Sequence, residues 1–104
     1  MIGRLEETLL AALVGLGGES YSVGIHDHVL THTNHDYSAG TLLTTLYRME
    51  EKGFVSSRYS DPVPERGGRR KRMFKIEAPG QQALQETMKV IPALKGNSLH
   101  TVIS

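Results

Sequence analysis

Residues 38–55 read SAGTLLTTLYRMEEKGFV and contain signals for both ends of one helix. Ser38 is a favourable N-cap because its hydroxyl can accept a hydrogen bond from an otherwise unpaired backbone N–H. Gly53 is a favourable C′ residue because glycine reaches positive φ without strain. The stretch therefore predicts a helix that begins after Ser38 and ends before Gly53.

The two faces of this predicted helix differ in character. Leu42, Leu46 and Met49 recur at i, i+4 and i+7, which places them on one narrow stripe that must face a core. The opposite face carries Gly40, Thr44 and Tyr47, flanked by Thr41 and Arg48 on one side and Leu43 on the other. Small hydroxyl residues near a helix N-terminus, with an arginine one turn later, suit a helix that enters the DNA major groove. The alternative is an amphipathic surface helix with ordinary polar residues.

Length and composition indicate one domain with one modest core, because the chain has 104 residues of which 38% are hydrophobic. The absence of cysteine excludes disulfides, thiolate zinc sites and cysteine nucleophiles. It also fits a reducing compartment, so we expect a cytoplasmic protein. The apolar run Leu9–Leu16 is too short to span a bilayer, and Glu6 and Glu7 lie where a secretory signal needs positive charge. No membrane partner is expected.

Charge is distributed unevenly, although the net charge is only +1. Residues 1–64 hold four basic and eight acidic residues, whereas residues 65–75, ERGGRRKRMFK, hold six basic and one acidic. Half of all Lys and Arg therefore lie within eleven residues. Such a concentrated basic patch predicts recognition of an anion at a defined place, and next to a helix-turn-helix pattern it favours nucleic acid. The alternatives are a solvated charged loop or a localisation-type patch.

The residues before this helix predict two further helices. The segment Ile2–Leu16 is apolar nearly all round, which predicts a helix that lies at the centre of the domain or meets a second chain. Ser20 or Ser22 is expected to cap a second helix that runs to about Thr31. A tight connection at Thr33–Tyr37 then leads into the third helix, which matches a helix-turn-helix.

After Gly53 the hydrophobic period changes from that of a helix to that of a strand. Phe54–Ser60 is rich in β-branched, aromatic and serine residues, and Arg69–Ile76 alternates, with Phe74 and Ile76 on one side. Glycines and prolines separate the two segments, so we expect a hairpin with a long basic tip. Pro79 suits the first turn of a last helix.

The predicted fold class is mostly α with a small β-hairpin, an α+β winged helix-turn-helix with an additional C-terminal helix. Residues 1–78 are assigned to the winged helix-turn-helix DNA-binding domain, 79–95 to the C-terminal helix and 96–104 to a tail, all within one compact domain.

Histidines provide a competing signal. His28, His32 and His35 fall at i, i+4 and i+7, and three imidazoles on one face could bind zinc or nickel. Asn34 and the expected turn should end the helix before His35, so neither a metal site nor a cofactor is predicted. His28 and His32 remain the only metal candidates, and a metal-responsive regulator remains an alternative.

Catalysis is not indicated. Ser38, Thr44 and the carboxylates show no nucleophile and base at a recognisable spacing, and no glycine-rich phosphate loop follows a strand. We therefore expect that the protein is not an enzyme.

At this level of detail the chain resembles PadR-type transcriptional regulators over about Leu5–Leu84. The resemblance rests on LEETLLAAL in the first helix, Tyr21 and Ile25 in the second, SAGTLLTTLYRMEEKGFVSS, and GGRRKRMFKIEAPGQQAL through the wing into the last helix. Two features depart from the family pattern. Leu43 replaces a tyrosine that the resemblance implies contacts the DNA backbone, and the usual Thr-Pro start of the last helix is Glu77, Ala78, Pro79 here.

The resemblance implies a homodimer in which residues 79–95 are a C-terminal dimerisation helix that packs with the first helix at the two-fold interface. It also implies a regulator that commonly represses, and release of DNA by a small effector. The expected partners are a second copy and double-stranded DNA with a pseudo-palindromic operator. The candidate DNA contacts are Ser38, Gly40, Thr41, Thr44, Tyr47, Arg48, Arg66, Gly67, Gly68, Arg69, Arg70 and Arg72. The candidate interface residues are Leu9, Leu13, Leu84, Met88 and Ile91. A winged-helix interaction module without DNA readout is the other reading, favoured by Leu43 and opposed by the basic wing.

Overall fold

The computed structural model describes residues 2–60 and 71–88, and within them four helices and three strands surround one apolar core. In chain order the elements are α1 (Arg4–Gly15), β1 (Glu19–Tyr21), α2 (Ser22–Thr33), α3 (Ala39–Glu51), β2 (Val55–Tyr59), β3 (Arg72–Ile76) and α4 (residues 78–88). The predicted mostly α winged-helix fold is confirmed. No helix in these described ranges has the length and apolar character needed to cross a bilayer.

The sheet has three strands in the order β1-β3-β2, with both pairs antiparallel. β2 and β3 are the predicted hairpin strands, and Val55 pairs with Ile76 at its base. β1 was not predicted, and the expected N-cap at Ser20 or Ser22 is wrong, because Tyr21 occupies that position. Ser20 instead pairs with Phe74, so the residues before α2 extend the sheet by one strand.

Glycines end α1 and α3 in the same way. Gly53 has φ +81°, and its N–H donates to the Glu50 carbonyl at 3.0 Å while the Phe54 N–H donates to Met49 at 2.9 Å. This pattern satisfies carbonyls that would otherwise lack a partner at the helix C-terminus. The predicted role of Gly53 is confirmed, and the exit of α3 directs the chain into β2.

The core lies between α1, α2, α3 and the inner face of the sheet. The stripe Leu42, Leu46 and Met49 is buried as predicted, each side chain being at most 1% exposed. The buried hydrophobic residues that form this core are Leu9, Leu10, Ala12, Leu13, Ile25, Val29, Leu42, Leu46, Met49, Val55, Phe74, Ile76 and Leu84.

The predicted dimer interface is wrong in part, because some of its candidate residues are buried within the single chain. Leu9 and Leu13 are 0% exposed within this one chain and Leu84 is 7% exposed, so these three have little or no surface left for a partner. Periodicity placed them on an apolar face, and in the structure they pack within the core of the subunit. The outward side of α1 carries Ala11 and Val14, and Val14 is 53% exposed.

The start of α4 is joined closely to the end of α3. The Phe54 carbonyl accepts a hydrogen bond of 2.9 Å from the Glu77 N–H. Gly80 is buried directly against the same carbonyl, where an added Cβ would overlap the Phe54 oxygen and lie 3.1 Å from Leu10 Cδ2. Only a residue without a side chain allows α4 to approach this closely.

Gly80→Ala should therefore destabilise the protein even though alanine is the better helix former. Overpacking of a filled site costs about 1–3 kcal/mol, which exceeds the gain of up to about 1 kcal/mol in helix propensity. Chemical denaturation monitored by circular dichroism measures the change.

Gly40→Ala is the matched control, because an added Cβ there meets nothing within 4 Å. The same substitution should leave stability unchanged or raise it by up to about 1 kcal/mol. Equal effects at the two glycines would contradict the close approach of α4.

Candidate nucleic-acid interface

Ser38 caps α3 as predicted. Its Oγ accepts a hydrogen bond of 3.1 Å from the Thr41 N–H and donates to Thr41 Oγ1 at 2.8 Å. Thr45 Oγ1 donates to the Thr41 carbonyl at 2.8 Å. The hydroxyls of Ser38 and Thr45 are thus already used in organising the first turns of the helix.

Thr44 and Arg48 differ from Ser38 and Thr45 in that their polar groups are not hydrogen-bonded within the described part of the chain. Both are exposed on the side of α3 away from the buried stripe, one turn apart, and Gly40 is exposed one turn before them. Neither side chain makes a hydrogen bond or ion pair with any residue in the ranges 2–60 and 71–88. Their polar groups are therefore available to a partner on this face.

Tyr47 lies on the side of α3 that faces the wing, which is the hairpin of β2 and β3, and Leu43 lies one turn before it on the helix. The Tyr47 ring is 5.8 Å from the Phe74 ring and is 41% exposed, so it packs on β3 and also reaches solvent. Leu43 is half-buried against the core. This packing gives the leucine a structural role at the position where a backbone-contacting tyrosine is expected.

Arg72, at the first position of β3, is tied to both α3 and β2. Its Nε and Nη2 donate to Ser57 Oγ at 3.2 and 2.9 Å, and its Nη1 donates to Tyr59 Oη at 3.2 Å. The Tyr59 hydrogen bond is the main cause that raises the pKa of Arg72 above its ordinary value, with smaller contributions from Tyr47 and Glu50. The charge of Arg72 is evident from the sequence, whereas these partners depend on the fold.

The same group of side chains reaches back to the end of α3. Ser57 Oγ donates to Glu50 Oε2 at 2.7 Å, and Arg72 Nη2 lies 3.7 Å from Glu50 Oε1. The guanidinium carbon is 5.2 Å from the centre of the Tyr47 ring and 5.1 Å from that of Tyr59, within the range of cation–π attraction. The strands and the helix are thus connected through one arginine.

Three basic residues of the run at 65–75 lie in the described ranges. Lys71 Nζ is 4.4 Å from the centre of the Tyr21 ring, and Lys75 is exposed on the outer face of the sheet. Arg72 is the third. The other wing candidates, Arg66, Gly67, Gly68, Arg69 and Arg70, fall outside the described residues, as does Ile91.

Lys52, the residue that follows α3, forms an ion pair with Glu6 of α1. Its Nζ lies 2.6 Å from Glu6 Oε2, and the other carboxylate oxygen of Glu6 accepts from the Gly3 N–H at 2.9 Å. Partial burial alone would raise the pKa of Glu6, but the hydrogen bonds from Lys52 and Gly3, together with the nearby charge of Arg48, lower it. This pair fixes the C-terminal end of α3 against α1.

The histidine pair does not have the geometry of a shared metal site. The rings of His28 and His32 stack with centroids 4.0 Å apart and planes 19° from parallel, and His32 Nδ1 lies 2.9 Å from the His28 carbonyl oxygen. Imidazole nitrogens bind a metal in the plane of the ring, and stacked rings direct their lone pairs side by side rather than toward one point. Among residues 2–60 and 71–88 no group of three His, Asp or Glu side chains could hold a metal ion.

Asn34 ends α2 as expected, with φ +57°, so His35 lies beyond the helix and its ring stacks on Tyr37 at 4.2 Å. A groove of about 630 Å³ opens beside these rings, between α1, α2 and the connection to α3. Its lining includes Arg4, Ala11, His28, His32, His35 and Tyr37.

A second histidine contact, which sequence analysis missed, links α2 to the turn before α3. His26 Nε2 lies 2.8 Å from Asp36 Oδ1, and its Nδ1 lies 3.4 Å from Asp27 Oδ1. The hydrogen bond to Asp36 is the main cause that raises the pKa of His26 above 6.5, and the hydrogen bond to Asp27 raises it by a smaller amount. The His26 imidazole therefore joins α2 to the turn before α3, and the two carboxylates favour its protonated form.

Comparison with known proteins points to one family. The model of the transcriptional regulator PadR-like family matches residues 9–86. A PadR-like transcription factor from Bacteroides fragilis superposes with a TM-score of 0.76 at 20% identity, covering 96% of this chain and 91% of that one. A PadR family transcription regulator from Clostridium difficile R20291 gives 0.72 at 20% identity, covering 98% and 100%.

Bacillus subtilis PadR, solved in complex with operator DNA, gives a TM-score of 0.68 at 17% identity, covering 83% of this chain and 47% of that one. At these identities the solved structures establish the fold. No curated protein matches the chain.

The His26 contact predicts a pH dependence. A pKa raised on folding means that the stabilisation is complete below the unfolded value of about 6.5 and is lost as pH rises through the folded pKa. His26→Ala should therefore lower the melting temperature more at pH 6 than at pH 8.5.

Direct titration of His26 by NMR separates the two carboxylates. Asp36→Asn should lower the His26 pKa more than Asp27→Asn, because the Asp27 oxygen is farther away at 3.4 Å. An equal or larger effect of Asp27→Asn would contradict the contact with the turn.

Proposed function

The chain belongs to the PadR-like family of transcriptional regulators, and from this premise we propose that it is a homodimeric, non-enzymatic DNA-binding repressor that acts in the cytoplasm. The observation that carries the proposal is the free face of α3, where Thr44 and Arg48 are exposed and unpaired with any described residue. α3 enters the major groove, and these two side chains reach base edges. A hydroxyl can donate or accept there, and an arginine can bind guanine through two hydrogen bonds.

The neighbouring polar groups of α3 position the helix on the duplex. Ser38, Gly40 and Thr41 lie at its N-terminus, where backbone N–H groups and the helix dipole favour a phosphate. Tyr47 lies toward the wing, which suits a contact with the sugar-phosphate chain and not with a base. These contacts set register and orientation without carrying sequence information.

The wing supplies the second contact of each subunit. Arg66, Arg69 and Arg70 bind phosphates flanking the major-groove site, and Gly67 and Gly68 let the backbone approach. Support comes from the charge of the run at 65–75 and from its position in the chain between β2 and β3. Phosphate binding of this kind provides most of the sequence-independent affinity.

A second copy of the chain completes the regulator. The interface consists of the outward side of α1 and the helix at residues 79–95, including Val14, Met88 and Ile91, with Leu84 supporting it from the core. Val14 and Met88 are 53% and 57% exposed in the single chain, although both are apolar. A two-fold axis through this interface places two α3 helices on a pseudo-palindromic operator, and occupation of that operator blocks transcription.

A small effector is the further part of this proposal, and the groove of about 630 Å³ is its place. Tyr37 lines the groove and directly precedes the N-cap of α3. A ligand in contact with Tyr37 would shift the start of the reading helix, which gives it a physical route to release DNA.

Thr44→Ala tests the reading helix. The side chain is exposed and unpaired, so folding should be unchanged, while binding to the preferred duplex should weaken by about 1–3 kcal/mol with a much smaller loss on random DNA. Fluorescence anisotropy on a duplex selected from a random pool, compared with a random duplex, measures both.

Thr45→Ala is the matched control, because the Thr45 hydroxyl is already bonded to the Thr41 carbonyl. It should leave the ratio of specific to random binding unchanged. Equal losses on specific and random DNA for Thr44→Ala would show that α3 does not read sequence and would favour the interaction-module hypothesis.

Met88→Glu tests the assembly. A charge in an apolar interface should shift the protein from dimer to monomer in sedimentation velocity at micromolar concentration, because burial of an unpaired charge is costly. Val23→Glu is the control, since Val23 on α2 is exposed to a similar extent, 59%, and lies outside the proposed interface. A wild-type monomer under these conditions would contradict the homodimer.

A further inference from the structure

Arg72 belongs by charge to the basic run, and its sequence position alone favours a phosphate contact. Its surroundings differ from those of a free phosphate ligand. Ser57 accepts two of its hydrogen bonds, Tyr59 accepts a third, and the Glu50 carboxylate is 3.7 Å away. The side chain is 32% exposed.

Ser57 has no hydrogen-bonding capacity left. A hydroxyl provides one donor and two acceptor lone pairs; its donor goes to Glu50 Oε2, and both lone pairs are taken by Nε and Nη2 of Arg72. Rotation of the guanidinium toward a DNA phosphate would leave both lone pairs of this half-buried hydroxyl without a donor and would move the cation away from the two tyrosine rings.

The partners of Arg72 lie on two different structural units. Ser57 and Tyr59 belong to β2, which with β3 forms the wing, whereas Glu50 and Tyr47 belong to the C-terminal half of α3. The register places Tyr59 directly opposite Arg72 across the hairpin. The Arg72 side chain thus sets the position of β2 and β3 relative to α3.

We propose, building on the proposed DNA-binding function, that Arg72 is a positioning residue: it fixes the wing at a set distance from α3 and does not bind DNA phosphate itself. To bind one duplex, α3 and the wing must contact it at the same time. A fixed spacing between them removes the conformational freedom that binding would otherwise have to restrict.

Lysine and glutamine at this position distinguish the two roles. Lysine keeps the charge and can bind phosphate as a point charge, but it lacks the planar fork that spans Ser57 and Tyr59. If Arg72 positions the wing, Arg72→Lys and Arg72→Gln should weaken binding to the selected duplex by a similar factor, roughly tenfold. If it binds phosphate, Arg72→Lys should stay near wild type.

Ser57→Ala gives an independent and uncharged test. It should weaken binding to the selected duplex in the positioning role, because it removes the acceptor of two Arg72 hydrogen bonds. A phosphate-binding Arg72 would be released by the same change, so affinity would be unchanged or higher.

A double-mutant cycle with the wing completes the experiment. Arg69→Ala with Arg70→Ala should lower affinity and reduce the slope of log affinity against log salt by roughly 0.9 per lost contact. In the Arg72→Gln background the same two substitutions should lower affinity by a smaller factor than in wild type, since the wing is no longer held in position. Independent phosphate contacts would give additive losses.

Arg58→Lys serves as the control, because Arg58 is in the same sheet but its Nε and Nη2 donate to Glu19 of β1 at 3.0 and 3.2 Å, so this pair does not connect the hairpin to α3. Melting temperatures of all variants establish that they are folded. Near-wild-type binding by Arg72→Lys, additive losses in the cycle, or equal losses for Arg58→Lys and Arg72→Lys would each overturn the positioning role. Failure of the wild-type chain to prefer the selected duplex would instead overturn the proposed function.

Discussion

The burial of Leu42, Leu46 and Met49 decides which side of α3 faces solvent. Each of these side chains is at most 1% exposed, and burial of one such side chain is worth roughly 1.5–3 kcal/mol. A hydrogen bond on the surface contributes only about 0.5–1.5 kcal/mol. The core therefore sets the rotation of the helix, and Thr44 is held outward whatever it contacts.

The wing is attached in a different way from the helices. β3 is anchored at its inner end by Phe74 and Ile76, which are 0% and 5% exposed. Toward its outer end the apolar contacts give way to Arg72 and its polar partners. The inner part of the hairpin thus follows the hydrophobic core, whereas its outer part depends on a small number of hydrogen bonds of modest individual strength.

Sequence reasoning succeeded where one signal dominates. The ends of α3, its buried stripe and the inward position of Phe74 all follow from caps and periodicity. β1 could not be predicted, because three residues are too few to show an alternating pattern and their partner strand lies about fifty residues later. Leu9 and Leu13 were assigned to an interface because periodicity identifies an apolar face without dividing it between core and partner.

The role of Arg72 could not be predicted for a related reason. Composition counts its charge with the other basic residues, while its partners are defined only by the hairpin register that brings Tyr59 opposite it.

Few groups on α3 are free to discriminate bases. The hydroxyls of Ser38 and Thr45 are bonded within the helix, and a lone threonine hydroxyl such as that of Thr44 can donate to one base or accept from another. On the proposed function Arg48 would be the stronger of the two base contacts, but its charge also interacts with the carboxylate of Glu6. Direct base readout by α3 would then be limited in each half-site. On the proposed function, discrimination then depends largely on geometry, namely the spacing of wing and helix within a subunit and of the two helices across the dimer, because a duplex must satisfy all of these positions together.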